Sequence, residues 1–334
     1  MEKIRLGRTD LMVSRTAFGA LPIQRISQAE ACALVRRAYE AGINYFDTAN
    51  AYTDSEEKLG EALHDVRQNV VISTKSGGKD KKQSLRSLRT DYIDLFQFHN
   101  PAVLPDPNDP DGPFAAALEM QKKGYIRHIG ITNHRMKVAR EAIDSGLYET
   151  LQFPFCYLAS EEEVELVRLC QEKDLGFIAM KGLSGGLLNN AEACYAFMRQ
   201  YPNVVPIWGI QHEWELDQWL ELSRRDPAMT PELQEVIEHD RSELAGNFCR
   251  SCGYCLPCTA GIDIPQAARM SALLRRSPYQ PYMSDEWHEK MHRIEECVHC
   301  DACKSRCPYG LDIPNLLVKM LADYDAFYAQ HHGE

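Results

Sequence analysis

No stretch of the 334-residue chain approaches the about 18 to 20 uninterrupted apolar residues that a membrane-crossing helix needs. The opening Met1-Glu2-Lys3-Ile4-Arg5 has no apolar signal core. A cytoplasmic chain with no membrane partner is therefore the expectation. Basic charge is also short: 37 Lys plus Arg face 48 Asp plus Glu, for a formal net charge of −11. That balance lacks the broad cationic surface a phosphate backbone requires, so nucleic acid is not an expected partner. A G-x-G-x-x-G turn after a first strand is missing too, which weighs against an open dinucleotide-binding sheet. What is present is apolar content: 44% of the residues are hydrophobic, enough for a large core and, at this length, for more than one domain.

From Ile43 onward, short apolar runs alternate with amphipathic stretches. Strands are expected at 16–19, 43–46, 70–73, 93–98, 126–131, 151–153, 175–179 and 204–207, and helices at 28–41, 55–64, 114–123, 136–145, 161–173, 191–200 and 213–222. Repeated strand-then-helix units imply a parallel sheet, and eight of them in about 220 residues suit a closed (β/α)8 TIM barrel better than the competing doubly wound sheet. The segment from Asn100 to Pro113, with five prolines, reads as a long loop near the barrel mouth. The passage from Ser76 to Gln83 leaves little room for the third barrel helix. The alternation stops near residue 225, and Asp226-Pro227-Ala228-Met229-Thr230-Pro231 marks a boundary. A barrel over 1–228 is expected, then a charged linker helix to about Ala245 and a small, mainly helical domain within 229–334.

Of twelve cysteines, Cys32, Cys156, Cys170 and Cys194 are scattered among apolar residues and read as small buried hydrophobes. The other eight form an internal repeat. Cys249, Cys252, Cys255 and Cys258 lead into Gly261-Ile262-Asp263-Ile264-Pro265, and Cys297, Cys300, Cys303 and Cys307 lead into Gly310-Leu311-Asp312-Ile313-Pro314, an offset of 48 to 49 residues. In an intracellular chain, clustered cysteines point to cofactor ligands rather than disulfides. Three thiolates at C-x-x-C-x-x-C spacing can wrap one compact cluster. Paired tetrahedral zinc sites are the alternative, although zinc ribbons separate their C-x-x-C pairs.

The second repeat, with its Cys307-Pro308 ending, resembles the bacterial two-cluster ferredoxin pattern in full. The first repeat has two residues before its last cysteine, and Thr259 in place of proline. The resemblance implies two 4Fe-4S clusters with crossed ligation: Cys249, Cys252, Cys255 and Cys307 on one, and Cys297, Cys300, Cys303 and Cys258 on the other. His299, inside the second loop, is left as a nearby or surface residue.

Three expected strands lead into an ionisable residue: Asp47 after Phe46, Lys75 after Thr74, and His99 after Phe98. Strand carboxyl ends all face the mouth of a barrel, so Asp47, Lys75 and His99 should converge, with Tyr52 within reach from the same loop as Asp47. Singly, each has a bland explanation, as a helix cap, a solvated charge, a packed aromatic or a core histidine; jointly they form a proton-delivery site. Lys75 is expected to lower the pKa of the Tyr52 phenol toward the working range, Asp47 to hold Lys75 charged, and neutral His99 to orient a carbonyl oxygen.

The first 222 residues resemble the aldo-keto reductases through Phe46-Asp47-Thr48-Ala49 with Tyr52, Ser73-Thr74-Lys75, Asp91-Tyr92-Ile93-Asp94-Leu95 with His99, and Gly124 through Asn133. With its cysteine tail the whole chain is similar to the branch of that family bearing a C-terminal 4Fe-4S ferredoxin-type domain. The resemblance implies an oxidoreductase with a catalytic tetrad at Asp47, Tyr52, Lys75 and His99. It further implies nicotinamide contacts from Thr132, Asn133 and Gln152, and pyrophosphate contacts around Lys181, Gly182, Gly185 and Gly186. Two departures stand out. Met180 takes the place of the aromatic that commonly stacks on the nicotinamide, and Gly209 and Glu215 fall at the usual basic positions for a 2′-phosphate. NADH is therefore as reasonable a cofactor as NADPH.

The expected function is reduction of a carbonyl or related unsaturated small molecule, coupled to or stabilised by the clusters. A nicotinamide delivers two electrons as hydride whereas each cluster passes one, and no flavin signature is legible. The clusters are then structural, or relay electrons from ferredoxin or another redox partner, or act through a further cofactor between the domains. The alternative is an iron-sulfur electron-transfer protein whose barrel mainly serves as a docking scaffold.

Overall fold

The computed structural model describes residues 1–76, 81–244, 248–276 and 278–331. The expected helix end at Ala245 and part of the 76–83 passage lie outside them. The chain forms two compact units, one of residues 1–182 and 192–233, the other of 183–191 and 234–334.

In the first unit, β1 (Lys3–Arg5) and β2 (Met12–Ser14) pair antiparallel. Eight parallel strands then close into a barrel: β3 (Ala17–Gly19), β4 (Tyr45–Asp47), β5 (Val71–Ser76), β6 (Ile93–His99), β7 (Ile126–Thr132), β8 (Thr150–Pro154), β9 (Gly176–Met180) and β10 (Val204–Gly209), with β10 beside both β9 and β3. The competing open sheet is thereby excluded. The intervening helices are α1 (Gln28–Glu40), α2 (Ser55–Leu63), α3 (Lys81–Ser87), α4 (Pro113–Lys122), α5 (Met136–Ser145), α6 (Glu161–Glu172), α7 (Ala191–Arg199) and α8 (Glu213–Arg225). Local signals set several starts. Ser27 and Ser160 each accept from the backbone N–H three residues on, while Glu30 and Glu163 reach back to the capping residue, so two of the four orphan donors at each helix start are satisfied. The short passage before Ser84 does yield a third barrel helix, only seven residues long, and the barrel stays closed.

The strand pattern explains where the chemistry sits. Successive side chains alternate between faces, and Tyr45, Val71, Leu95, Ile178 and Val205 pack into one apolar layer with Leu6 and Val13. The hairpin missed in the sequence supplies that last pair and plugs the amino-terminal end. Its turn needs glycine: at Gly7, φ +52°, a Cβ would lie 2.2 Å from the backbone nitrogen of Gly176. Two residues further along β4, β5 and β6, the same inward parity exposes Asp47, Ser73 and Gln97 to the barrel interior, above the apolar layer.

The second unit is helical: α9 (Pro231–Glu243), α10 (Ile264–Ala267), α11 (Met270–Arg276), α12 (Asp285–His292), α13 (Ala302–Arg306) and α14 (Ile313–His331). Ile262, Ile264, Met270, Met291, Ile294, Leu311, Ile313, Leu317 and Tyr324 form its core, with the cysteine loops packed around them. Both repeat copies carry proline next to the first residue of the helix that follows, where its missing N–H costs no hydrogen bond. Among the described residues, no helix is long and apolar enough to cross a membrane.

Candidate active site and cluster loops

Asp47 ends β4, Lys75 is the penultimate residue of β5, and His99 ends β6, so each lies within its strand rather than just beyond it. Tyr52 follows in the loop between β4 and α2. That loop is tied down by Asn50 N–H donating to the Lys75 carbonyl at 2.9 Å and by Ser55 Oγ donating to the Ala20 carbonyl at 2.8 Å. Thr53, next to Tyr52, takes φ +40°, a conformation uncommon for a β-branched residue, and its hydroxyl donates to Gln24 Oε1 at 3.1 Å.

The four expected residues meet. Lys75 is 1% exposed, and its Nζ donates to Asp47 Oδ2 and to the Thr48 carbonyl at 2.7 Å. It also lies 5.3 Å from the centre of the Tyr52 ring. Tyr52 and His99 meet edge to face, with ring centres 6.0 Å apart. Asp47 is fully engaged: Oδ1 accepts from Ser73 Oγ at 2.5 Å and from Gln97 Nε2 at 3.3 Å, and Oδ2 accepts from Lys75. A buried ion pair is tolerated only when its remaining lone pairs are satisfied in this way. Ser73 and Gln97 escaped the sequence reading, although strand parity places them on the inward face two residues before Lys75 and His99.

Burial dominates the electrostatics of these groups, and the expected lowering of the Tyr52 phenol by Lys75 does not hold. Burial, and after it the positive charge of Lys75, push the His99 imidazole down to about 4, so it is neutral at physiological pH. Burial also lowers Lys75, with Asp47 acting in opposition. The Tyr52 phenol, however, is not lowered by Lys75. Burial and then the negative charge of Asp47 push it well above its ordinary value. The desolvation of a partly buried ring and the nearby carboxylate both favour the neutral phenol, and the ammonium is spent on Asp47.

Thr132 ends β7 and Gln152 lies on β8; both are buried. Gln152 Oε1 accepts from Gln97 Nε2 at 2.7 Å, while its own amide nitrogen has only long contacts, 3.5 Å to Asp47 and 3.8 Å to Met180 Sδ. Met180 Sδ is also 3.9 Å from Thr132 Oγ1. Gln97 Oε1 is buried and has no hydrogen-bond partner among the described residues. Asn133 is structurally employed: its Oδ1 accepts from the N–H groups of His134 and Arg135, and its amide donates to the Pro101 carbonyl at 2.9 Å. Lys181, with φ +62°, and Gly182 lie in the first unit, and a Cβ on Gly182 would meet the Trp208 ring at 2.5 Å. Gly185 and Gly186 fall in the second unit. There Arg269 Nη1 donates to the Gly185 carbonyl at 2.6 Å. Glu215 turns its carboxylate onto the start of its own helix, accepting from the N–H groups of Gln211 and His212 at 2.6 and 2.8 Å.

In the second unit none of the eight clustered cysteines forms a disulfide. Cys258 of the first copy lines one cavity together with Cys297, Cys300 and Cys303 of the second, walled by Ile262, Ile264, Pro314 and Leu317. Cys249 lies within electrostatic reach of Cys252 and Cys307, and Cys255 within reach of Cys249 and Cys252; Cys255 also reaches Cys303 and borders the same cavity. The loops repeat in backbone as well as in sequence. Ser251 and His299 both take positive φ (51° and 50°), as do Gly253 and Asp301 (79° and 54°) and Gly261 and Gly310 (70° and 64°). His299 is exposed.

Residues 16–195 match the model of the aldo/keto reductase family and residues 248–312 that of a 4Fe-4S dicluster domain. L-galactose dehydrogenase of Arabidopsis thaliana is 28% identical over 210 residues, which cover 55% of this chain and 66% of that protein. NADH-specific methylglyoxal reductase of Escherichia coli is 28% identical over 225 residues, covering 56% of this chain and 69% of the relative. The chain thus spans about two thirds of the length of these curated relatives. Among solved structures, the holo form of aldo-keto reductase AKR11C1 from Bacillus halodurans superposes with TM-score 0.62 at 24% identity, covering 72% of this chain and 96% of the other. An aldo-keto reductase from Klebsiella pneumoniae in complex with NADPH gives 0.60 at 22%, covering 71% and 94%. Likeness at these identities is one of fold.

Proposed function

The chain belongs to the aldo/keto reductase family, a family of NAD(P)H-dependent oxidoreductases, and carries a 4Fe-4S dicluster domain; from that premise we propose that it reduces the carbonyl group of a small organic molecule with Tyr52 as proton donor. The observation that carries this reading is the buried Lys75–Asp47 pair at the barrel mouth, with the Tyr52 ring beside Lys75 and the neutral His99 ring against Tyr52. His99, uncharged at working pH, can donate one N–H to a carbonyl oxygen without stabilising a competing anion. As the carbonyl is reduced its oxygen becomes alkoxide-like, about as basic as hydroxide and far more basic than a phenolate. A phenol held above its ordinary pKa keeps its proton until that charge develops, and the transfer is still downhill. Lys75 would position and polarise the ring rather than ionise it, and Asp47 would keep Lys75 charged and fixed. The relatives named for L-galactose and methylglyoxal are consistent with a small polar carbonyl or alcohol as the substrate class.

A bound nicotinamide supplies the hydride. Gln152 and Thr132 fit the role of holding its carboxamide, since the Gln152 amide is weakly engaged and Gln97 Oε1 nearby is an unpaired acceptor. Asn133 would help mainly by fixing the start of α5, and Lys181 and Gly182 would contact the pyrophosphate. Because Gly209 has no side chain and Glu215 is committed to its own helix, neither supplies a cation for a 2′-phosphate, which supports use of NADH at least as well as NADPH.

Two 4Fe-4S clusters, when bound, supply single-electron transfer. Cys258, Cys297, Cys300 and Cys303 would hold one and Cys249, Cys252, Cys255 and Cys307 the other, a crossing supported by the shared cavity and by the proximity of Cys249 to Cys307. Eight ligand thiols suit a reducing compartment such as the cytoplasm. The test is anaerobic purification with iron loading, then oxidation of NADH and NADPH in the presence of a panel of small aldehydes and ketones. Turnover with NADH at a kcat/KM equal to or above that with NADPH is expected. An iron-loaded protein that binds neither nucleotide and reduces no carbonyl, yet exchanges electrons with ferredoxin, would overturn the reading in favour of an electron-transfer scaffold.

A further inference from the structure

We propose that the second unit carries a site for a zinc ion apart from the cysteine loops, built from His288 and His292 of α12 and Asp325 of α14. Each of the three offers one ligand atom, and these atoms lie within 4.8 Å of one another. His288 and His292 are four residues apart on a helix, so their rings rise from the same face, and their centres are 4.4 Å apart. Asp325 comes from the neighbouring helix and faces them, with its Oδ1 3.2 Å from His292 Nε2. Zinc–nitrogen bonds of about 2.0 to 2.1 Å put the ligand atoms of a tetrahedral site about 3.3 Å apart. One edge of that tetrahedron is therefore already in place, and the remaining edges need shifts that side-chain rotation supplies.

Two further observations point to an ion rather than to a hydrogen-bonded cluster. His288 Nδ1 is a buried atom without a hydrogen-bond partner among the described residues. A buried imidazole nitrogen left unpaired calls for a partner, and a cation held jointly with His292 and Asp325 would supply one. Around the three ligands the setting is that of a metal centre. Glu295 Oε1 lies 3.4 Å from His292 Nδ1, the outer carboxylate that orients a ligating imidazole. The His288 ring is fixed from its other face by Tyr328, stacked at 4.3 Å and 22°.

The donor set decides the ion. Two imidazoles and one carboxylate suit zinc or a similar first-row divalent ion and are poor for magnesium or calcium, which take oxygen ligands. Three protein ligands leave a fourth position for water. An ion there would clasp α12 to α14, tying the segment between the two cysteine repeats to the helix that follows the second. The site shares no residue with the proposed reductase centre.

The experiment uses the full chain with its iron loaded, stripped of adventitious metal by a mild chelator, and titrated with zinc chloride by calorimetry while iron and zinc are counted by elemental analysis. One zinc per chain is expected beyond the iron, with nitrogen and oxygen but no sulfur in its X-ray absorption shell. Asp325→Asn, which preserves shape, should weaken binding about tenfold or more, and Glu295→Gln also by roughly tenfold, with iron content unchanged. The double change His288→Ala with His292→Ala should abolish binding. Should that variant lose iron or fail to fold, Asp325→Asn alone decides. Absence of a stoichiometric zinc, a sulfur-ligated zinc, or unchanged affinity in Asp325→Asn would each overturn the site.

Discussion

Replacing Tyr52 by Phe removes one hydroxyl group and little else. The ring still meets His99 edge to face at 6.0 Å and still lies 5.3 Å from Lys75 Nζ, so the packing that shapes the barrel mouth survives. What is lost is the proton. General acid catalysis contributes about a hundredfold to ten-thousandfold, or about 2.7 to 5.4 kcal/mol at 1.36 kcal/mol per decade. The upper half of that range is expected here, because the neighbouring ionisable groups are no substitute. Lys75 is bound to Asp47 and to the Thr48 carbonyl, and His99 binds a proton only near pH 4. Because the hydroxyl acts in the transition state, kcat should fall while KM for the carbonyl compound changes little. The assay is steady-state oxidation of reduced nicotinamide by iron-loaded protein, with nucleotide affinity and iron content measured on the same sample as controls for folding. A kcat within about threefold of the parent protein, with iron and nucleotide binding intact, would refute Tyr52 as the acid.

The pH profile of kcat/KM follows from the same site. His99 works as the neutral form and its pKa is depressed to about 4, so activity should be complete above that value and fall as pH drops through it, and His99→Gln should remove this acid limb. Lys75 works as the charged form with a pKa held below 10.5, so activity should fall as pH rises through that lowered value, whereas Tyr52 should contribute no limb below it; an alkaline limb that persists in Lys75→Met at residual activity would contradict the assignment. For the barrel frame, Asp94 accepts from Arg67 Nη2 at 2.6 Å, from Ile72 N–H at 3.0 Å and from Arg127 Nη1 at 2.9 Å. Asp94→Ala would leave the Arg67 cation buried and unpaired, at about 3 to 5 kcal/mol. Urea denaturation followed by circular dichroism should register this as a lower midpoint for the barrel, and a loss under about 1 kcal/mol would mean that the pair is solvated in solution.

The barrel was legible because its signals are local and repeated: apolar runs of strand length, amphipathic helices between them, and Ser–Glu caps at the start of α1 and α6. Its boundaries moved by one to three residues, and the shift mattered, since Asp47, Lys75 and His99 belong to the strands and so inherit their strict inward parity. The plug made by β1 and β2 was not legible. Strands of three residues carry too little periodicity, and only the closed barrel shows that Leu6 and Val13 have an apolar layer to complete.

The four groups that meet at the barrel mouth were visible in the chain, as was the doubled cysteine motif, because each depends on residue type and spacing alone. Electrostatic tuning was not, because a pKa depends on what surrounds a group in three dimensions. The sequence suggests an ammonium that lowers a phenol; the fold instead gives that ammonium to Asp47 and buries the phenol beside the carboxylate, so its pKa rises. Likewise Asn133, read from its motif as a cofactor contact, is spent on the backbone of α5 and on Pro101, and Glu215 on its own helix. Spacing along the chain therefore determined which chemical groups are available. Which partner each one meets, and hence its charge, was decided only when strands and helices distant in sequence packed together and excluded water.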